Sequence, residues 1–336
     1  MARVRSATVQ DLLRLDAMGR HLGVGARHPD PFFARDVIAA SVGRVAPLLN
    51  EMLPCTGEEM AEALGRHLCV TFEEVRGPGD IDALEDRYLR GKREIGFGQL
   101  RRELAAPNVD ALLFQRLRAE EHDPDRWVAV LNLQRTESRG YWNRFHELAH
   151  RIAEPPQGVL PFARHGFDAS NPLESLIDLV AAELAFYPPA VRPKIAMLWR
   201  HRRLDFGVVD AFHAAYAPSA SLLATAKAAV RFWPRPAVLL TAEVRGRKRD
   251  PSADRALRIT VTARNDAARA AGLTFIPNMR VPAGSPIAEA FGSGEVVDAE
   301  EVLDRWTTSG GTRLSPIGVH TAARPMGPVV YATVTI

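Results

Sequence analysis

Between Arg126 and Pro156 the sequence commits the chain to one local arrangement. The run Arg126-Trp127-Val128-Ala129-Val130-Leu131-Asn132-Leu133 is apolar nearly throughout, the pattern of a strand buried on both faces. A polar link, Gln134 to Gly140, leads into a helix that carries His146-Glu147-Leu148-Ala149-His150 and is stopped by Pro155-Pro156. At about 3.6 residues per turn, His146 and His150 fall on one face, one turn apart. This H-E-x-x-H spacing lets two imidazoles hold one zinc ion while Glu147 reaches the water at the metal. The bland alternative is a solvated i,i+4 histidine pair, and the strong strand just before the helix argues against it. That strand is expected to border a cleft, with an edge free to pair with an extended substrate.

A catalytic zinc takes three protein ligands and keeps one position open. Downstream candidates for the third are His165, Asp168, Glu174, Asp178 and Glu183. A histidine six residues after His150 is absent, since position 156 is Pro156. Glu174 and Asp178 are four apart, so on a helix they share a face. Glu174 can then ligate while Asp178 accepts the outward N–H of a ligating histidine. Glu183 lies two and a half turns beyond Glu174 and points roughly the other way, which makes Glu174 the preferred third ligand. The plain role for Glu174 is that of a first-turn carboxylate behind an Asn171 cap. With a His, His, Glu zinc, Glu147 serves as general base and then returns the proton to the leaving amine. A second donor for the oxyanion is sought among Tyr187, His165, Arg164 and His213, and nothing in the sequence singles one out.

Composition narrows the class without naming it. The chain has 336 residues, 46% hydrophobic and 25% charged, as in ordinary globular proteins, and long enough for two or three compact units. No apolar run reaches the roughly 18 residues of a membrane span, and the N-terminal residues lack an apolar leader core, so a cytoplasmic protein without a membrane partner is expected. Two cysteines, Cys55 and Cys69, exclude a disulfide framework and read as buried thiols. A net charge of +3 is too mild to demand nucleic acid. Arginine clusters at Arg200–Arg203 and Arg245–Arg249 read as solvated faces or linkers, with a phosphate-binding surface as the sharper alternative.

Along the chain, helices are expected from Thr8 to Leu53, broken at His28-Pro29-Asp30-Pro31. Thr56-Gly57-Glu58-Glu59 is a capping box opening the next helix, which runs to Gly65. Val70–Val75 reads as a strand ended by Gly77-Pro78-Gly79, and residues 80–124 stay unassigned. Asn171-Pro172 opens a helix that continues from Leu173 to Phe186 before Pro188-Pro189. Helices follow over Val191–Arg203, Phe206–Tyr216 and Ser219–Phe232. The break at Ala217-Pro218 is compatible with a helix-turn-helix, although a lone pair of this kind commonly serves packing. Strands are expected at Ala237–Val244, Ala256–Ala263 and Pro328–Ile336, with helices at Asn265–Ala271 and Ala299–Trp306. The resulting plan is an α+β chain with a helical segment over 1–54, a metal-binding domain over 55–189, a helical domain over 190–235 and an α+β unit over 236–336.

The strand at Val128–Asn132, the helix Arg144-Phe145-His146-Glu147-Leu148-Ala149-His150, and the run from Glu174 to Pro188 together resemble the ImmA/IrrE family of zinc metallopeptidases. The likeness covers Thr56 to Pro189. The chain departs from the family's downstream pattern at Ile177, Asp178 and Val180, and its terminal proline comes one residue late. The resemblance implies a zincin-like fold, zinc held by His146, His150 and Glu174, and Glu147 as the catalytic residue. It further implies a helix-turn-helix-like segment over 190–235 and a GAF-like sensory domain, on Gly284–Val297, at the end. Family members cut a helix-turn-helix repressor to release a stress or mobile-element response, so an intracellular, site-specific metalloendopeptidase with a repressor as partner is expected. Two other readings stand beside it: a peptidase-like regulator whose metal site is not catalytic and which binds a protein partner or DNA, and a zinc hydrolase of small amides.

Overall fold

The computed structural model describes residues 9–25, 30, 32–90, 95–105, 109–116, 119–120, 122–134, 138–155, 162–165, 171–200, 203–246, 255–308 and 311–336. The fold is α+β, with twelve α-helices and two sheets among the described residues. The chain divides into two compact units, residues 1–190 and 191–336. Among the described residues no helix is long and apolar enough to cross a membrane.

The first unit is built on a four-stranded sheet of β1 (Val70–Val75), β2 (Val109–Gln115), β3 (Trp127–Asn132) and β4 (Phe162–His165), in the order β1-β3-β2-β4. β1 runs parallel to β3, while β2 is antiparallel to both β3 and β4. All six residues of β3 are buried, as its apolar run predicts. Period-two alternation sorts its side chains. Val128 and Val130, with Leu112 and Phe114 of β2, join a core that includes Ile81, Leu84, Tyr88, Phe97, Leu100 and Leu104. Those residues come from α4 (Pro78–Glu85), α5 (Leu100–Ala105) and the short π and 3₁₀ turns between them. The unassigned stretch 80–124 therefore covers one face of the sheet and supplies a strand of it. Ala111 and Leu131 face the other side, where α3 (Gly57–His67) packs on β1 and α6 (Ser138–Ala153) packs on β2 and β3.

β3 is paired on both sides, which corrects the expectation that it offers a free edge. The outer strands of the sheet are β1 and β4. Helices α1 (Val9–Leu22), α2 (Phe33–Glu51) and α7 (Pro172–Ala185) pack around α6, whose residues from Phe145 to His150 are buried without interruption. The capping box at Thr56 forms: its hydroxyl accepts from the Glu59 N–H at 3.2 Å, and Glu59 accepts from the Thr56 N–H at 2.7 Å. Of the expected turn at residues 28–31 only Asp30 is described. Cys55 is buried and Cys69 half-buried.

The second unit holds an antiparallel five-stranded sheet in the order β6-β5-β9-β8-β7. Its strands are β5 (Ala237–Arg245), β6 (Ala256–Arg264), β7 (Val297–Val302), β8 (Gly318–Met326) and β9 (Val329–Thr335). Alternation again splits the faces. Val238, Leu240, Ala242, Val330, Ala332 and Val334 share a core with Ala268 of α11 (Asp266–Ala270), Ile287 of α12 (Pro286–Ser293) and the fully buried Trp306. Thr333 points the other way and donates its hydroxyl to the Leu204 carbonyl at 2.7 Å. The chain enters this unit along α8 (Pro188–Trp199); α9 (Phe206–Tyr216) then packs on α10 (Leu222–Phe232), which lies against β5 and β6.

One expected helix is a strand. Ala299–Val302 belongs to β7, and a single 3₁₀ turn at Leu303–Arg305 replaces the remainder. Its alternating inward and outward positions, with Asp298 and Glu300 exposed, are those of a charged edge strand.

Candidate metal centre

The site is assembled by α6 and α7, and each is fixed locally before it is fixed by packing. Asn171 caps α7: its Oδ1 accepts from the Leu173 N–H at 3.0 Å and the Glu174 N–H at 3.3 Å. Glu174 thus sits in the first turn, where the helix dipole favours an anion. At the start of α6, Arg139 donates to both oxygens of Asp110 at 2.7 Å, and the Asn143 amide donates to the Asp110 carbonyl at 3.0 Å. Arg144 reaches Glu74 of β1 at 2.9 Å; burial would push the Glu74 carboxyl up, but Arg144 and Arg76 bring it below its usual range. Near the other end of α6, the Arg44 guanidinium of α2 donates to the Ile152 carbonyl at 3.3 Å. Tyr141 ties α6 to α7 by donating to the Ala185 carbonyl at 2.6 Å. These contacts hold the helix from both ends.

Between them, three ligand atoms converge. His146 Nε2 lies 3.0 Å from His150 Nε2 and 3.2 Å from Glu174 Oε2, and His150 Nε2 lies 3.6 Å from the same oxygen. Tetrahedral zinc with N and O ligands at about 2.0–2.2 Å separates its ligand atoms by roughly 3.3–3.6 Å. Of the three observed separations, 3.6 Å falls at the top of that range, and 3.2 and 3.0 Å fall within about 0.3 Å of its lower end. His146, His150 and Glu174 therefore form a group that can hold a metal ion. Both histidines are almost wholly buried, and Glu174 is about one-fifth exposed, which leaves the group a side open to solvent.

Each outward nitrogen faces a carboxylate, one at hydrogen-bonding distance and one beyond it. His146 Nδ1 is 2.9 Å from Asp178 Oδ1, so Asp178 takes the place expected from its four-residue spacing to Glu174. His150 Nδ1 faces Oε2 of the buried Glu154 at 3.7 Å. The sequence reading passed over Glu154, although its i+4 spacing from His150 places it on the same helical face. Glu147 follows His146 directly and is 1% exposed. Without metal the cluster holds itself together by charge: burial would lower the His150 pKa, but Glu174 and Glu154 raise it well above the usual value. Burial would raise the Glu174 carboxyl, but the two imidazoles drive it far below the carboxylate range.

The other candidates stand apart from this group. Glu183 is half-buried and contributes no ligand atom. The Tyr187 hydroxyl is 2.8 Å from Asn50 Oδ1, which anchors the link after α7 to α2. His213 Nε2 is 2.9 Å from the Ala220 carbonyl within the second unit. Asp168, and the side chains of Arg164 and His165, lie outside the described residues. Of the two arginine clusters, Arg203 pairs with Glu300 at 3.0 Å and Arg245 donates to the Ile259 carbonyl at 3.3 Å. Residues 201–202 and 247–249 are outside the described residues.

No protein-family model matches the chain, and no curated protein matches it. Among solved structures, a Mycobacterium tuberculosis transcriptional regulator aligns over 97% of this chain and 81% of its own, with 9% sequence identity and a TM-score of 0.40. At that score the likeness establishes neither a shared fold nor a shared activity.

Proposed function

We propose that the chain is a zinc-dependent endopeptidase of the H-E-x-x-H, glutamate-ligand type, with His146, His150 and Glu174 as metal ligands and Glu147 as the catalytic residue. The observation that carries this reading is the convergence of Nε2 of His146, Nε2 of His150 and Oε2 of Glu174 to within 3.6 Å of one another. When bound, zinc supplies a Lewis acid for the scissile carbonyl and makes water acidic near neutral pH. Glu147, on the same helical turn as His146, accepts a proton from the attacking water and delivers it to the leaving amine. Asp178 holds the His146 ring so that Nε2 faces the ion. An intact base beside the ligands supports catalysis over a purely structural metal site. The outer strands of the sheet are β1 and β4, and β4 pairs with β2, on which α6 packs; an extended substrate segment joining the sheet would add to one of these two edges.

The substrate class rests on the resemblance to the ImmA/IrrE pattern: a helix-turn-helix repressor, cut at one site inside the cell to release a stress or mobile-element response. The test is incubation of the zinc-loaded full chain with each repressor encoded beside its gene. A single cut that disappears in Glu147→Gln, with metal content unchanged, is the expected result. Repressor removal at the wild-type rate by Glu147→Gln would leave a partner-binding regulator with a non-catalytic metal site as the surviving reading.

A further inference from the structure

The second ligand histidine is braced from far outside the motif. His150 turns Nε2 into the ligand cluster, and on its other side Nδ1 looks toward Glu154 Oε2 at 3.7 Å. The Glu154 side chain is 3% exposed. A carboxylate so deeply buried has lost its hydration, which is costly unless a cation stands beside it. That cation comes from α1, 140 residues earlier in the chain: Arg14 Nη2 donates to Glu154 Oε1 at 3.0 Å and Oε2 at 3.4 Å. Stability alone is a poor reason for such a pair, because apolar residues of similar volume usually serve a buried position as well or better. Geometry offers a specific reason. Each ligand histidine presents Nε2 to the cluster and Nδ1 to a carboxylate, Asp178 for His146 and Glu154 for His150. A metal-bound imidazole needs its remote N–H directed to an acceptor, which fixes the tautomer and the ring plane.

We propose that Glu154, held in place by Arg14, is a positioning residue for the metal centre: it keeps His150 as the Nδ1–H tautomer with the Nε2 lone pair aimed at the ion. The inference rests on the metal-centre reading above. It makes α1 a working part of the site, since the guanidinium that orients Glu154 is delivered by that helix. Arg14 acts through Glu154 and Glu154 through His150, and neither touches the reacting atoms.

The test uses the full-length protein stripped of metal and titrated with Co²⁺, read by visible absorption and by competition with a chelator. Glu154→Ala should weaken Co²⁺ binding about 10- to 100-fold and alter the absorption band. Glu154→Gln, which keeps an acceptor oxygen, should recover most of the affinity. Arg14→Ala should weaken binding several-fold, and Arg14→Lys should restore part of it. Arg14 is partly exposed, so its variants keep the question answerable if Glu154→Ala does not fold. Wild-type affinity and an unchanged band in folded Glu154→Ala and Arg14→Ala would overturn the proposal. So would a loss of affinity that only follows a loss of the metal-free fold and is not recovered by Glu154→Gln. If instead His146→Ala binds Co²⁺ as tightly as wild type, the metal-centre reading itself has failed and this inference falls with it.

Discussion

Asp178 Oδ1 lies 2.9 Å from His146 Nδ1, one helical turn beyond the Glu174 whose Oε2 approaches Nε2 of the same ring at 3.2 Å. Two carboxylates of α7 therefore grip opposite nitrogens of one imidazole. Removing the outer one leaves the ring free to turn. Asp178→Ala should lower zinc affinity by about 10- to 100-fold, the usual effect of losing a partner that orients a ligand. Asp178→Asn should fall between the two. Chelator competition on the purified variants measures it, and unaltered affinity in Asp178→Ala would mean that the contact does not orient His146.

Metal binding should also expel a proton. In the metal-free fold Glu174 and Glu154 hold the His150 pKa well above its usual value despite burial, and a ligating imidazole must be neutral. Calorimetric titration with zinc near pH 7, in buffers of different ionisation enthalpy, should show about one proton released through His150. The same shift has a sign for stability. A raised histidine pKa stabilises the metal-free protein fully below about pH 6.5, and that contribution is lost as pH rises through the folded-state value. Metal-free thermal stability should therefore fall with rising pH above neutrality, and His150→Gln should remove that part of the slope.

Two glycines predict opposite outcomes from the same substitution. A Cβ on Gly57 would collide with the Tyr141 hydroxyl, in the place that hydroxyl needs for its bond to the Ala185 carbonyl. Gly57→Ala should destabilise the first unit by about 1–3 kcal/mol. Gly43 lies inside α2 with nothing within 4 Å of its Cβ position, and Gly43→Ala should stabilise by roughly 0.5–1 kcal/mol. Urea unfolding of both variants measures the contrast.

Arg139 donates to both oxygens of the buried Asp110 carboxylate from a half-exposed position. Arg139→Ala strands that charge beneath the start of α6. A loss of about 1–3 kcal/mol is expected, less than for a wholly buried pair because the arginine side is screened by solvent. The double variant Arg139→Ala, Asp110→Asn should recover part of it in the same unfolding measurement.

What the sequence disclosed follows the range of the forces involved. β1, β3, α9, the capping box at Thr56 and the shared face of Glu174 and Asp178 are set by residues within a turn or two of each other, and all were legible. β2 was not, because Asp110 interrupts its apolar run and is matched only by Arg139, 29 residues later in the chain. From Ala299 β7 reads as a helix because the adjacent Glu300 and Glu301 break a period-two pattern; the sheet edge tolerates the outward Glu300, and the inward Glu301 accepts from the Thr321 hydroxyl and the Trp306 indole N–H. Nothing local in the sequence marks Glu154. Its burial depends on a fold that brings Arg14 to it across 140 residues. The two histidines of the H-E-x-x-H pattern declare themselves locally, and what holds them in place does not.

The central claim is that His146, His150 and Glu174 bind one metal ion, and metal stoichiometry tests it most directly. The full chain, purified without chelators and analysed by elemental mass spectrometry, should carry one zinc per molecule. His146→Ala, His150→Ala and Glu174→Ala should each lose most of it while remaining folded. Wild-type protein free of metal even after incubation with zinc, or variants that retain the wild-type content, would contradict the account.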